Sequence, residues 1–381
     1  MRPRWVVGAV ALSFCWRGEK NKFAAKKREI MPTPTLPTLS RPLPARTFPA
    51  ELDRITINNA VSGVRVVIEA DDVPVIDTTL HPTSQKIELT DLADALRSAV
   101  AGLGTRPAEV RVKLNGATAG TTLMYPCRLR LSKPAEQVLD RFFLSAAMGR
   151  LQRLYQGQGI TLAWAHGGKT AEAEPLNVTA YWHEPIFNIV SSTITTVEAA
   201  RTEHYSIAGF TDRDLHRPDG DDWRLFRVDA ICGRRHAQFE CTPEGMDLGG
   251  PAVITFRNGF GVLEPFALMG TTITEAHNTY TAAIIGGLFG NLRVDEEPIY
   301  KATTGPMGAG DVAVMRDLAT ATEATLRGEP IAITAIDLKA DNDRHKPTAG
   351  ELTWRSAHRL PLTEVPDEVR VFDDTFDRTF N

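Results

Sequence analysis

The residues with the clearest chemical potential lie in AVITFRNGFGVLEPF, Ala252 to Phe266, where an apolar run meets Gly259-Phe260-Gly261. A strand, then G-x-G-x-x-G, then a helix would cradle a pyrophosphate on helix N-terminal amides. Here the third glycine position holds Glu264, whose carboxylate repels phosphate, and Pro265 leads into another β run instead of a helix. Asn258-Gly259 between two β runs is a hairpin signal, because both residue types tolerate positive φ. The stretch therefore reads as a hairpin with an aromatic tip, and Asn258, Gly259, Phe260 and Gly261 as a candidate contact loop.

Other chemistry is sparse. TDRDLHRPDGDD brings Asp212, Asp214, His216, Asp219, Asp221 and Asp222 into one loop. Carboxylates that dense could hold calcium, yet the alternating ligands, central Gly and distal Glu of an EF-hand are missing, so a solvated acidic loop is the favoured reading. No nucleophile elbow, H-E-x-x-H or Walker-type loop occurs. His183-Glu184 and His358 stand alone, and Glu296-Glu297 precede Pro298 in a turn-like setting with no partner acid in view. The expectation is a chain that is not an enzyme, with no catalytic residue, cofactor or metal ion. Trp164, Tyr181 and Trp182 are the aromatics that could grip a glycan if the chain were a binding module.

The four cysteines, Cys15, Cys127, Cys232 and Cys241, are too few to staple 381 residues and form no CxxC pair. Cys232 and Cys241 flank a hairpin turning near Gly233-Arg234-Arg235, which sets them out of register; buried reduced thiols are expected. A formal charge of -4 gives no basic field for nucleic acid, and no run of about 20 apolar residues exists to span a bilayer.

These residues need elements to position them. The apolar run Val6 to Trp16 after a basic start outlines a signal peptide, but small residues are missing from the cleavage positions. Lys26-Lys27-Arg28-Glu29 before Met31 suggests instead that Met31 is the true start. Residues 1–50 are expected to be a flexible, proline-rich arm. A β-sandwich-like domain follows over 51–132, with VRVVIEA and VPVIDTTL around Asp71-Asp72, a short strand at Lys86–Leu89, and AEVRVKLNG meeting TLMYPCRLRL across Asn115-Gly116. Asp91 is placed to cap a helix with Leu92, Leu96 and Val100 on one face. Residues 133–202 read as a connecting helix, striped by Leu139, Phe143, Ala147, Leu151 and Leu154, plus a hairpin of GITLAWA and LNVTAYWHE turning at His166 to Lys169. Residues 203–362 read as a C-terminal β module with one clear helix over 311–327, N-capped by Asp311 and stopped by Gly328. PIAITAIDL suits a central strand and ELTWRSA a half-buried one, and 363–381 is an acidic tail. The fold class is mainly β: tandem antiparallel sandwich-like modules with a few short helices.

Three stretches carry a resemblance. VRVVIEADDVPVIDTTLHP leading into IELTDLADAL resembles the β-rich front domain of tail-associated structural proteins of phages and prophages of gut Bacteroidales. ITFRNGFGVLEPFALMG is similar to their aromatic, Asn- and Gly-containing hairpin, and EEPIYKATTGPM with PIAITAIDLKAD and GELTWRSA resembles their closing helix-and-strand module. The likeness covers most of Arg54 to Leu362 and brings no catalytic pattern. It implies a virion component of the tail or baseplate, assembled in the bacterial cytoplasm, whose partners are itself, as a homo-oligomer or ring, and other virion proteins. The competing expectation is an exported surface protein whose sandwich domains bind glycans or proteins; a glycan-active enzyme, with carboxylates converging in a groove, is a third.

Overall fold

In the computed structural model, the described residues are 36–155, 157–166, 174–186, 188–220, 222–242, 252–285, 288–339 and 348–358, with the side chains of 276–297 outside the description. The fold is mainly β, with several antiparallel sheets and one helix in the C-terminal region. The described residues from Pro37 onward form one compact unit with three successive cores.

The first core lies between two sheets. β1 (Thr38–Leu39), β2 (Arg46–Thr47), β3 (Ile55–Asn58), β4 (Val64–Ala70), β5 (Val73–Leu80), β6 (Lys86–Leu89), β7 (Ala108–Leu114) and β8 (Ala117–Met124) make sheets ordered β1-β3-β6 and β2-β8-β7-β4-β5. Asp71-Asp72 and Asn115-Gly116 adopt positive φ and close two-residue hairpins, as their types predict. α1 (Leu92–Ala101) lays Leu92, Leu96 and Val100 on this core. Burying Leu96 stabilises the fold by roughly 1.5–3 kcal/mol. The first-turn amide of Ala93 bonds the Asp53 carboxylate at 3.0 Å, while Asp91 sits at φ 61 without capping the helix. Residues 38–50, expected to be part of a flexible arm, are ordered. Leu39 and Leu43 pack on the first core, and Phe48 is buried, so the chain is anchored from Thr38 on. Residues 1–35, with Met31 and Cys15, and the tail beyond 358 lie outside the described residues.

The second core is a sandwich. After α2 (Ala135–Arg141) come β9 (Gln152–Leu154), β10 (Ile160–Ala165), β11 (Leu176–Glu184), β12 (Ile189–Val197), β13 (Ala200–Arg201), β14 (Tyr205–Phe210), β15 (Arg224–Cys232) and β16 (Arg235–Cys241). They form sheets ordered β10-β14-β13 and β12-β11-β15-β16-β9. GITLAWA and LNVTAYWHE therefore belong to different sheets and do not pair as a hairpin. The boundary expected at residue 203 falls inside this sandwich, because β10 pairs with β14 and β11 with β15. The long connecting helix is reduced to α2, and its stripe separates. Leu139 enters the junction between modules, Phe143 and Leu154 the second core and Ala147 the third, while Leu151 is exposed. No single helix face can serve three cores, so the backbone leaves the helix after Arg141.

The third core underlies a seven-stranded sheet. β17 (Ala252–Arg257), β18 (Leu263–Leu268), β19 (Thr272–Ile285), β20 (Leu288–Thr303), β21 (Ala324–Leu326), β22 (Glu329–Lys339) and β23 (Ala349–Ser356) are ordered β18-β17-β21-β22-β23-β20-β19, with α3 (Ala309–Leu318) on one face. β22 is central in order, as read, though its residues stay exposed or half-buried. The helix expected over 311–327 ends at Leu318. Ala324, Thr325 and Leu326 are taken by the ladder with β17, and Arg327-Gly328 at positive φ close a hairpin to β22. Backbone pairing with an existing strand outweighs helix propensity, which is worth only tenths of a kcal/mol per residue. Glu323 consequently accepts from Arg257 at 2.8 Å, across the ladder.

Candidate functional site

The 258–262 loop is a hairpin connection, since Arg257 pairs with Leu263, and no helix follows it. Its positive φ is at Gly261 (φ 81), however, and not at Asn258 or Gly259. A Cβ on Gly261 would lie 2.2 Å from the Gly104 carbonyl oxygen, and one on Gly259 2.6 Å from Leu129 Cγ. Neither collision can be relieved cheaply, because other modules press on this loop from both sides.

The loop is built around Asn258, which is 1% exposed. Its Oδ1 accepts from the amides of Phe260 and Val262, both at 3.0 Å, and its Nδ2 donates to the Leu144 carbonyl and to Glu264 Oε2, both at 2.8 Å. Glu264 Oε1 also accepts from the Ser145 hydroxyl at 2.6 Å. Burial pushes the Glu264 carboxyl up to about 7, with nearby Asp317 adding to the rise and the bonds from Ser145 and Asn258 opposing it. The Gly259 amide donates to Asp317 Oδ2 at 2.6 Å, and the Gly259 carbonyl accepts from the Arg128 amide at 2.8 Å. Phe260 is 2% exposed and packs 6.0 Å from Phe48 between ring centroids, in a junction cluster with Tyr125, Leu139, Ala163 and Val262. The candidate contact loop is thus an internal joint: its aromatic completes a core inside the chain. Arg235, read only as a turn residue, is a second joint, its buried guanidinium donating to the Leu139 carbonyl at 2.8 Å and the Ala165 carbonyl at 2.7 Å.

The candidate glycan aromatics do not form a platform. Trp164 is buried edge-on to Phe143 at 5.9 Å, and buried Trp182 donates from Nε1 to Thr193 Oγ1 at 2.9 Å; both belong to the second core. Strand alternation puts Tyr181 on the opposite face, beside Phe226 at 6.3 Å and under Arg227 at 5.4 Å. In the acidic loop, Asp214 accepts from the Thr211 amide at 2.7 Å and hydroxyl at 2.9 Å, which hold its carboxyl below the usual range. Asp212 accepts from the Gly157 amide at 3.2 Å. Among the described residues no three His, Cys, Asp or Glu side chains gather as metal ligands; Asp221 lies outside them. His183 meets Asn188 at 3.0 Å, His358 lies 3.5 Å from Glu329, and Glu296-Glu297 sit within the β20 ladder, not in a turn. Among the described residues no helix is long and apolar enough to cross a membrane.

Two surfaces escaped the sequence reading. The β19–β20 ladder runs from Thr272↔Ala302 to Ile285↔Leu288, but β20 meets β23 only over Tyr300–Thr303. From Ala276 and Pro298 outward the two strands pair only with each other, among the described residues. The signal was present as Gly286-Gly287 between two apolar runs. The second surface is β12, an outer strand of sequence IVSSTITTV, legible as an uncharged β-branched run.

No protein-family model matches the chain, and no curated protein matches it. A solved structure described as the tail of an empty GTA particle, computed with helical refinement and C6 symmetry, aligns over 32% of this chain and 100% of that chain, at 16% identity and a TM-score of 0.23. A crystal structure of titin domains aligns over 70% of this chain and 92% of that chain, at 10% identity and a TM-score of 0.16. Likenesses this partial fix neither fold nor role.

Proposed function

We propose that the chain is a non-enzymatic structural protein of a virion, tail or baseplate associated, of a phage or prophage of gut Bacteroidales, working by self-association and contact with other virion proteins. The sequence resemblance over Arg54 to Leu362 motivates the reading, and the β19–β20 ribbon is the observation that carries it. Ten residues of β19, from Ala276 to Ile285, extend as a two-stranded ribbon roughly 33 Å long at about 3.3 Å per residue. A ribbon of two strands alone is marginally stable in water, and among the described residues no third strand pairs with the amides and carbonyls along its edges. A neighbouring subunit supplies the strands or surface that such an arm needs, and rings repeat that contact. The surface-protein alternative loses its glycan platform, since Trp164 and Trp182 are core residues.

The test is light scattering and electron microscopy of the full chain beside a variant in which residues 278–296 are replaced by Asn-Gly, so that the paired His277 and Glu297 flank the new turn. The full chain is expected to form defined oligomers, and the shortened chain to keep its melting temperature but form only smaller ones. A full chain that stays monomeric at high concentration and is missing from purified particles overturns the proposal.

A further inference from the structure

β12 is the outer strand of the second sandwich's larger sheet, paired with β11 without a bulge from Ile189↔Glu184 to Val197↔Leu176. Its other edge meets no strand among the described residues. Edges of this kind are ordinarily blunted by Lys, Pro, a bulge or a covering segment. IVSSTITTV has no charge and no proline, and only Ser191 and Ser192 are not β-branched. On the outer face Val190 and Ile194 are 60% and 67% exposed, and Ile186 and Ile189, just before and at the start of the strand, are exposed as well. The strand is also held in place from within: the Thr193 hydroxyl donates to the His216 carbonyl at 2.5 Å, and the His216 amide donates to Thr195 Oγ1 at 3.3 Å. A partner would meet an edge already ordered, which lowers the entropy cost of association.

We infer that β12 pairs antiparallel with β12 of a second copy about a two-fold axis normal to the sheet, joining two five-stranded sheets into one. This rests on the self-association reading and names one contact within it. The two-fold fits for three reasons. Directly opposed residues in an antiparallel pair share a face, so Val190 and Ile194 meet outer-face residues of the partner while each inner face stays on its own core. A strand that pairs with itself must not oppose like charges, and this one carries none in any overlap. The segment from Pro32 to Pro37 is poorly suited to the place, because its three prolines lack the amides a ladder uses.

The experiment places single cysteines at Val190, Ser192, Ile194 and Thr196 of the full chain with Cys15→Ser, and at exposed Val61 as a control, then applies a mild oxidant. Disulfide-linked homodimers are expected at one or two neighbouring positions near the axis and not at Val61. Ser192→Lys with Ile194→Lys is expected to weaken dimerisation by on the order of 10-fold or more, at unchanged melting temperature, by opposing like charges across the axis. If the chain assembles but no β12 position links above the control, or the double lysine variant assembles undiminished, β12 pairing is wrong and self-association through another surface stands. A β12 edge that links only to a different virion protein also overturns the two-fold. A chain monomeric throughout removes both proposals.

Discussion

Nδ2 of Asn258 donates to Oε2 of Glu264 at 2.8 Å inside the protein, closing the loop that follows β17 onto the strand that leaves it. Around this pair, residues from all three modules converge: Gly104 and Leu129 from the first side, Ser145 from the second, Asp317 from α3.

The pair makes stability depend on pH. The Glu264 carboxyl is raised from 4.5 to about 7 in the folded chain, so the fold holds a proton that the unfolded chain releases. That contribution is complete below about 4.5 and is lost as pH climbs through about 7, a change on the order of 3 kcal/mol at roughly 1.36 kcal/mol per unit. Buried Asp311 and Asp317 are raised as well and act in the same direction at lower pH. Calorimetry from pH 5 to pH 8 is expected to show a falling melting temperature, and Glu264→Gln to flatten the slope. An unchanged slope in the variant would assign it elsewhere.

Gly261→Ala is expected to cost more than about 2 kcal/mol in urea midpoint analysis, combining left-handed strain with a backbone collision. Gly102→Ala, at ordinary φ with no atom near its Cβ, is the control and should be close to neutral.

Phe260→Ala should destabilise the fold by about 3–5 kcal/mol, because it empties a packed junction. Phe226→Ala, on the exposed outer face, should cost far less. Equal small effects would return Phe260 to the surface role read from the sequence.

The thiols of Cys127, Cys232 and Cys241 are pushed by burial up to about 12, 11 and 12. A thiol-specific colorimetric reagent at pH 8 is expected to modify no more than one of the four cysteines in the native chain and all four after denaturation. Reaction of two or more in the native state would contradict this burial.

Local patterns settled what local physics controls. Alternation in AEVRVKL, the Asp71-Asp72 and Asn115-Gly116 turns, the Leu92-Leu96-Val100 stripe and the hairpin around Asn258-Gly259 are all readable, because each is decided by neighbours within a few residues. Tertiary structure decided the rest. Phe260 and Trp182 look alike as exposed candidates in sequence, yet which face of a strand or loop is covered depends on segments such as Phe48 and Thr193, remote or in another strand. The 133–154 stripe has helical spacing, but its members serve three separate cores; the 324–326 segment continues a helical pattern, but a strand seventy residues earlier claims its backbone. Which edges stay unpaired, at β12 and along the β19–β20 ribbon, follows only from the order of strands in the sheets, since pairing is a property of the whole fold and not of any one segment.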